Sequence, residues 1–304
     1  MPGIQGVYAA AVTPRGKRGD VDFGAAFELV DFLGRAGVAG LALFTGAGEY
    51  AALACDERSR LAYLAAKRSR VPVLVSVGSA TLDDSVRLAR DARDAGAEAL
   101  LLPPPYFYSY RQDDIREYYL QFASHVESGT STLLSNHPAH ASAIDSDTVR
   151  ELFATRHFAG IEDASSDVES FARIRAAADG PACVLSGNDS LLKSAIHVGA
   201  HGAISAMAGA VPELVIALER AVRAGNAEES ARLDSRVQEF MAWRQEFPEP
   251  AILKVAAAQR GLKTGALLVP LSAAKQRRLE EFREWFQGWL PNVKKLSASA
   301  SRSF

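Results

Sequence analysis

Cysteine, long apolar runs and charge imbalance are all scarce in this chain. Of 304 residues, only Cys55 and Cys183 are cysteines. Two thiols so far apart, outside any metal-ligand spacing, offer neither a disulfide framework nor a cysteine-based zinc site. Reduced thiols in a cytoplasmic protein are expected. No window approaches the roughly 18 apolar residues of a membrane helix. The formal net charge is −2, which gives no electrostatic pull toward nucleic acid or an anionic membrane surface. The chain runs from Met1 into Val7-Tyr8-Ala9-Ala10-Ala11-Val12 with no basic flank or cleavage site, so no signal peptide is expected. No Gly-x-Gly-x-x-Gly fingerprint follows this first apolar run, which argues against a doubly wound dinucleotide-binding sheet.

What the chain does contain is an alternation. Hydrophobic residues make up 48% of it, enough for a large core. Short apolar runs at 7–12, 40–45, 71–77, 98–103, 131–136, 158–163, 182–187 and 202–207 do not alternate with polar residues. Such runs suit parallel strands buried on both faces. The segments between them carry helical periodicity, as in Phe23, Phe27, Val30 and Leu33. Asp22, Cys55 or Asp56, Asp145 or Ser146, and Asp189 are the candidate helix caps. Three similar segments, around Gly37, Gly96 and Gly199, each end a helix with glycine and enter the next run. Eight strand–helix units predict an α/β fold, a (β/α)8 TIM barrel, with extra C-terminal helices. The expected division is a barrel over 1–220, a helical appendage packed on it over 221–292, and a disordered tail over 293–304. The helices expected after the barrel strands are 212–224, 226–245, 249–260 and 272–289.

In such a barrel, chemistry sits at the C-terminal ends of the strands. The polar residues placed there are Thr13; Thr45 to Glu49; Ser76 and Ser79; Tyr106 and Tyr108; Ser135, Asn136, His137 and His140; Glu162, Asp163 and Ser165; Ser186, Asn188 and Asp189; and Ser205. Each alone also fits a cap or turn role.

Those ends resemble the dihydrodipicolinate synthase / N-acetylneuraminate lyase family over about residues 5 to 272. Val12-Thr13-Pro14 matches the family's first strand end. Gly48-Glu49, Leu53 and Asp56-Glu57-Arg58 match its Gly-Thr-Thr-Gly-Glu motif and the helix after it. Pro105-Tyr106-Phe107 matches Pro-Tyr-Tyr, and Asn136-His137-Pro138 the end of Tyr-Asn-x-Pro. Gly160-Ile161 and Ala164-Ser165 flank the position of the family's Schiff-base lysine. Leu185-Ser186-Gly187-Asn188-Asp189 and Gly202-Ala203-Ile204-Ser205 match the last two strand ends.

The departures lie where the resemblance implies the chemistry. The lysine position is Glu162, and the proton-relaying tyrosine is Ser135. The two threonines that hold a substrate carboxylate are Gly46 and Ala47. The arginine after Tyr-Asn-x-Pro is His140, and the second tyrosine of Pro-Tyr-Tyr is Phe107. None of the eight lysines falls on a predicted strand end; Lys193 comes nearest. The resemblance therefore implies a lyase-class protein for a small 2-oxo acid or sugar acid that works without a lysine imine. The alternative is a catalytically silent metabolite-binding or assembly subunit. Candidate catalytic residues are Glu162, Ser135 and His140. Candidate substrate-binding residues are Gly46, Ala47, Phe107, Ser186, Ile204 and Ser205. Glu162 reads either as a general acid/base or as a carboxyl bonded to Ser135 that fills the lysine's space. His137 and His140 read either as metal ligands with Glu162 or as a plain loop pair, and no metal or cofactor is expected. The resemblance also implies a homo-oligomer, a dimer or tetramer.

Overall fold

Each apolar run becomes a short strand: β1 (Gly6–Ala10), β2 (Gly40–Leu43), β3 (Val73–Ser76), β4 (Ala99–Leu102), β5 (Thr132–Asn136), β6 (Gly160–Asp163), β7 (Cys183–Ser186) and β8 (Gly202–Ser205). In the computed structural model, which describes residues 3–127, 131–178 and 180–300, all neighbours pair in parallel and β8 closes on β1. Seven of the eight strands are buried along their whole length, which explains why their sequences show no two-residue alternation. The fold is a (β/α)8 barrel.

The barrel helices are α1 (Phe23–Arg35), α2 (Cys55–Arg68), α3 (Leu82–Ala95), α4 (Gln112–His125), α5 (Ser146–Ala154), α6 (Val168–Ala177), α7 (Leu192–His197) and α8 (Pro212–Arg223). Asp22 caps α1 by accepting the Ala25 N–H, as its position predicts. Gly96 and Gly199 adopt φ of +93° and +98°, the left-handed turn that ends a helix before a strand. Two other caps differ from expectation. Helix α2 starts after Ala54, whose N–H is held by the Glu57 carboxylate at 3.0 Å. Asp189 does not cap α7. Asn188 caps a 3-10 turn there, and Asp189 turns inward to the Met207 N–H.

Three more helices follow: α9 (Ala227–Gln245), α10 (Ala251–Gln259) and α11 (Ala273–Ala300). Helices α9 and α11 pack on α8, and all three tryptophans, Trp243, Trp285 and Trp289, join Phe240, Phe282 and Phe286 in an aromatic cluster between α9 and α11. The disordered tail expected over 293–304 is corrected as far as Ala300. Helix α11 continues through Pro291, with Val293, Ser297 and Ala300 buried. Low apolar content misled because small side chains at helical spacing let the helix lie close to its neighbours. The last four residues of the expected tail lie outside the described residues.

Candidate active site

The parallel register sets Ser135 beside Glu162 and Asn136 beside Asp163 on β5 and β6. Successive side chains on a strand alternate, so the two pairs serve different faces. Ser135 Oγ donates to Glu162 Oε2 at 2.7 Å inside the barrel. Asn136 Nδ2 donates to Asp163 Oδ1 at 2.6 Å, and Asn136 Oδ1 accepts the Ile144 N–H at 2.9 Å, which ties down the loop carrying His137 and His140.

Glu162 is 2% exposed. Burial raises its pKa to about 7, with the Ser135 hydrogen bond opposing and the Asp163 charge adding. Gly187 backs it closely: a Cβ there would lie 3.0 Å from Glu162 Oε1. Burial, with the neighbouring His140 and Arg244, lowers His137 to about 3, and burial with Arg244 lowers His140. Both imidazoles are therefore neutral at neutral pH. Their rings stack in parallel at 4.6 Å, so their nitrogens do not converge on one point. Among the described residues, no group of three or more His, Cys, Asp or Glu side chains is arranged to hold a metal ion.

Glu162, Ser135, His137, His140 and Gly46 line one chamber with Tyr50, Ser76 and Pro103. Its volume is about 20 Å³, room for about one water. Outside it lies a cleft of about 600 Å³ whose walls include Tyr50, Tyr106, Phe107, Pro250 and Leu267 to Leu271. Gly46, Tyr50 and His140 line both spaces and form the partition between them. Phe107 stands at the cleft rim, 84% exposed, with φ of +87°.

Four of the candidate substrate-binding residues line neither space. Ala47 and Ile204 are buried. Ser186 Oγ bonds the main chain of Asn188. Ser205 Oγ donates to Asp189 and accepts the Ala208 N–H. The two serine hydroxyls are already engaged locally, so resemblance at the strand ends does not translate into an open site.

Three charged residues that the strand ends do not announce come from α9, α10 and the connection between them. Arg244, on α9, bonds Glu249 and lies 3.7 Å from Asp189. Glu249 sits 3.7 Å from His140 Nε2 and lines the cleft. Lys254, on α10, is 1% exposed and 2.5 Å from Glu49, which lines the cleft. Neither Lys254 nor Lys193 is on the walls of the Glu162 chamber. A signal was present: Lys254 is one charge inside the apolar run Ala251 to Ala258. Nothing local marked Arg244 or Glu249.

The sequence from residue 3 to residue 287 matches the model of the dihydrodipicolinate synthetase family. The chain belongs to that family. It is 30% identical over 286 residues to a 4-hydroxy-tetrahydrodipicolinate synthase of Alcanivorax borkumensis, covering 91% of this chain and 96% of the relative. It is 30% identical over 236 residues to an N-acetylneuraminate lyase of Rhizobium meliloti, covering 76% and 77%. The 4-hydroxy-tetrahydrodipicolinate synthase structure from Methylacidiphilum fumariolicum SolV superimposes with a TM-score of 0.88 at 26% identity, covering 96% of this chain and 99% of that one. A family member from E. coli K12 solved in complex with pyruvate gives 0.87 at 25% identity, covering 94% and 98%.

Family membership makes the substitution at Gly46 a packing question. A Cβ on Gly46 would lie 2.4 Å from His140 Cε1 and 2.7 Å from Glu249 Oε2. The family's threonine cannot be accommodated while those two side chains keep their places. Gly46→Thr is expected to cost about 1–3 kcal/mol by overpacking, read by urea denaturation. Trimming the neighbour with His140→Ala should return a measurable part of that loss, and purely additive losses would show that the two do not collide.

Proposed function

We propose that this chain is a lyase-class family member that works on a small 2-oxo acid or sugar acid without a lysine imine, with Glu162 as its proton-transfer group. One observation carries the reading: the buried Glu162 carboxyl, at the position the resemblance assigns to the family's lysine, is bonded to Ser135, and burial raises its pKa to about 7. A group divided between its two protonation states near neutrality serves as acid in one step and base in the next. Ser135 orients the carboxyl and the neutral His140 borders the same space, so polar groups converge there without an amine. No lysine lines this chamber among the described residues. A homo-oligomer in the cytoplasm, dimeric or tetrameric, is part of the same proposal. It is in keeping with two free thiols and with no helix, among the described residues, long and apolar enough to cross a membrane.

A second reading is a catalytically silent metabolite-binding or assembly subunit. It is favoured by the chamber's volume of about 20 Å³, which holds no oxo acid until the partition moves.

Three measurements separate these readings and test what they share. Borohydride with pyruvate is expected to leave the protein's mass unchanged; a stable increase on any lysine would overturn the imine-free reading. A thermal-shift screen of 2-oxo acids, sugar acids and aldehydes then looks for ligands, since a compound at a hundred times its Kd adds about 2.7 kcal/mol. With a hit in hand, turnover should show a pH–rate limb near 7 that Glu162→Gln removes. Binding without turnover supports the silent subunit instead.

A further inference from the structure

The space above Gly46 is already occupied by a carboxylate, and that carboxylate belongs to the protein. Glu249 Oε2 sits 2.7 Å from where a Gly46 Cβ would be and 3.7 Å from His140 Nε2. Its other oxygen, Oε1, is bonded by the Arg244 guanidinium. Arg244 is anchored from behind. Its Nη1 lies 3.7 Å from Asp189 Oδ2, and Asp189 is itself held by Ser205 Oγ and by the Met207 N–H at 2.9 Å. The guanidinium thus has one edge toward a fixed carboxylate and one toward a replaceable one.

The two partners differ in freedom. The Asp189 side chain is 2% exposed and sits beside β8. The Glu249 side chain is 24% exposed, lines the outer cleft, and belongs to the short connection between α9 and α10. A planar guanidinium recognises carboxylates by paired, charge-assisted hydrogen bonds. Exchanging one carboxylate for another at Arg244 conserves the local charge, so the exchange carries no new buried charge.

We propose that Arg244 is the anion-binding residue of this site and that Glu249 is its built-in occupant, displaced when a small carboxylate enters from the cleft. This rests on the reading of the site as one for a small oxo acid or sugar acid, and names the contact that recognises the acid. Displacing Glu249 removes the side chain that, with His140, covers Gly46. His140 is then free to swing away from Gly46 and Tyr50, which opens the partition and joins the cleft of about 600 Å³ to the chamber that holds Glu162. Recognition of the acid and access to the carboxyl become one event, as in induced fit.

The test is calorimetric titration of the full-length protein with pyruvate and with gluconate, and with glucose as an uncharged control. Glu249→Gln removes the competing charge and keeps the shape. It is expected to tighten binding of at least one of the two acids by tenfold or more and to leave glucose unchanged. Adding Arg244→Lys to Glu249→Gln should abolish that gain. A gain in affinity cannot arise from misfolding, so the result stays interpretable if Arg244 variants are unstable. Equal or weaker acid binding in Glu249→Gln, or no binding of either acid by either protein, overturns the proposal. Failure of the catalytic reading looks different: acid binding would depend on Arg244 and Glu249 as stated, but no turnover would follow.

Discussion

Lys254→Met is expected to destabilise the protein by about 3–5 kcal/mol, the usual result of removing one partner from a buried ion pair. Lys254 is 1% exposed, and its Nζ lies 2.5 Å from Glu49 Oε2, in a pair whose two atoms make no well-angled hydrogen bond. Burial lowers the lysine's pKa, with Glu49 opposing and Arg15 adding to the fall, so desolvation outweighs the partner's attraction. A pair in that balance contributes little net stability while intact. Breaking it leaves the Glu49 carboxylate buried beside an apolar surface. Glu49→Gln with Lys254→Met removes both charges together and should return stability to about that of the parent or above it. Chemical denaturation of the two single variants and the double variant checks this. Additive losses would mean that the two side chains act independently and that the pair does not brace the loop after β2.

The second large effect is in the pH dependence of stability. Glu162 has a folded pKa raised from 4.5 to about 7. The native state therefore holds a proton that the unfolded chain has released across that window. Stability falls as pH rises from 4.5 to about 7, and the loss is complete above the folded value. At about 1.4 kcal/mol per pH unit, the full loss is about 3 kcal/mol. Glu162→Gln keeps the shape and the bond to Ser135 but cannot ionise. It should match the parent near pH 4.5 and exceed it by about 3 kcal/mol at pH 8. His137 works in the opposite direction. Its pKa is lowered from 6.5 to about 3, so its contribution is present above 6.5 and is lost as pH falls below that value. The parent curve is thus the sum of opposing slopes, and only the difference between parent and variant isolates Glu162. Urea midpoints measured across pH 4–8 give that difference. A constant gap would show that Glu162 titrates normally.

Much of this site was legible one strand at a time. Continuous apolar runs between amphipathic segments have one economical packing, a parallel barrel, so the eight strands and the cluster of polar residues at their ends followed from pattern. The resemblance, which sets a proton-relaying tyrosine beside the lysine, implies that Ser135 and Glu162 are neighbours, and the register of β5 and β6 puts them side by side, 2.7 Å apart.

The residues alone show that there is no amine at 162, no phenol at 135 and no hydroxyl at 46 or 47. What occupies the space around them comes from packing. The volume above Gly46 is taken by His140 and Glu249, which lie far along the chain and meet only when α9 and α10 fold over the barrel mouth. Arg244 and Lys254 come from the same helices, and the local sequence does not record the acid each faces. Strand patterns are local because burial on a strand has a period of two residues or none. Long-range ion pairs have no period, so their partners are chosen by packing alone.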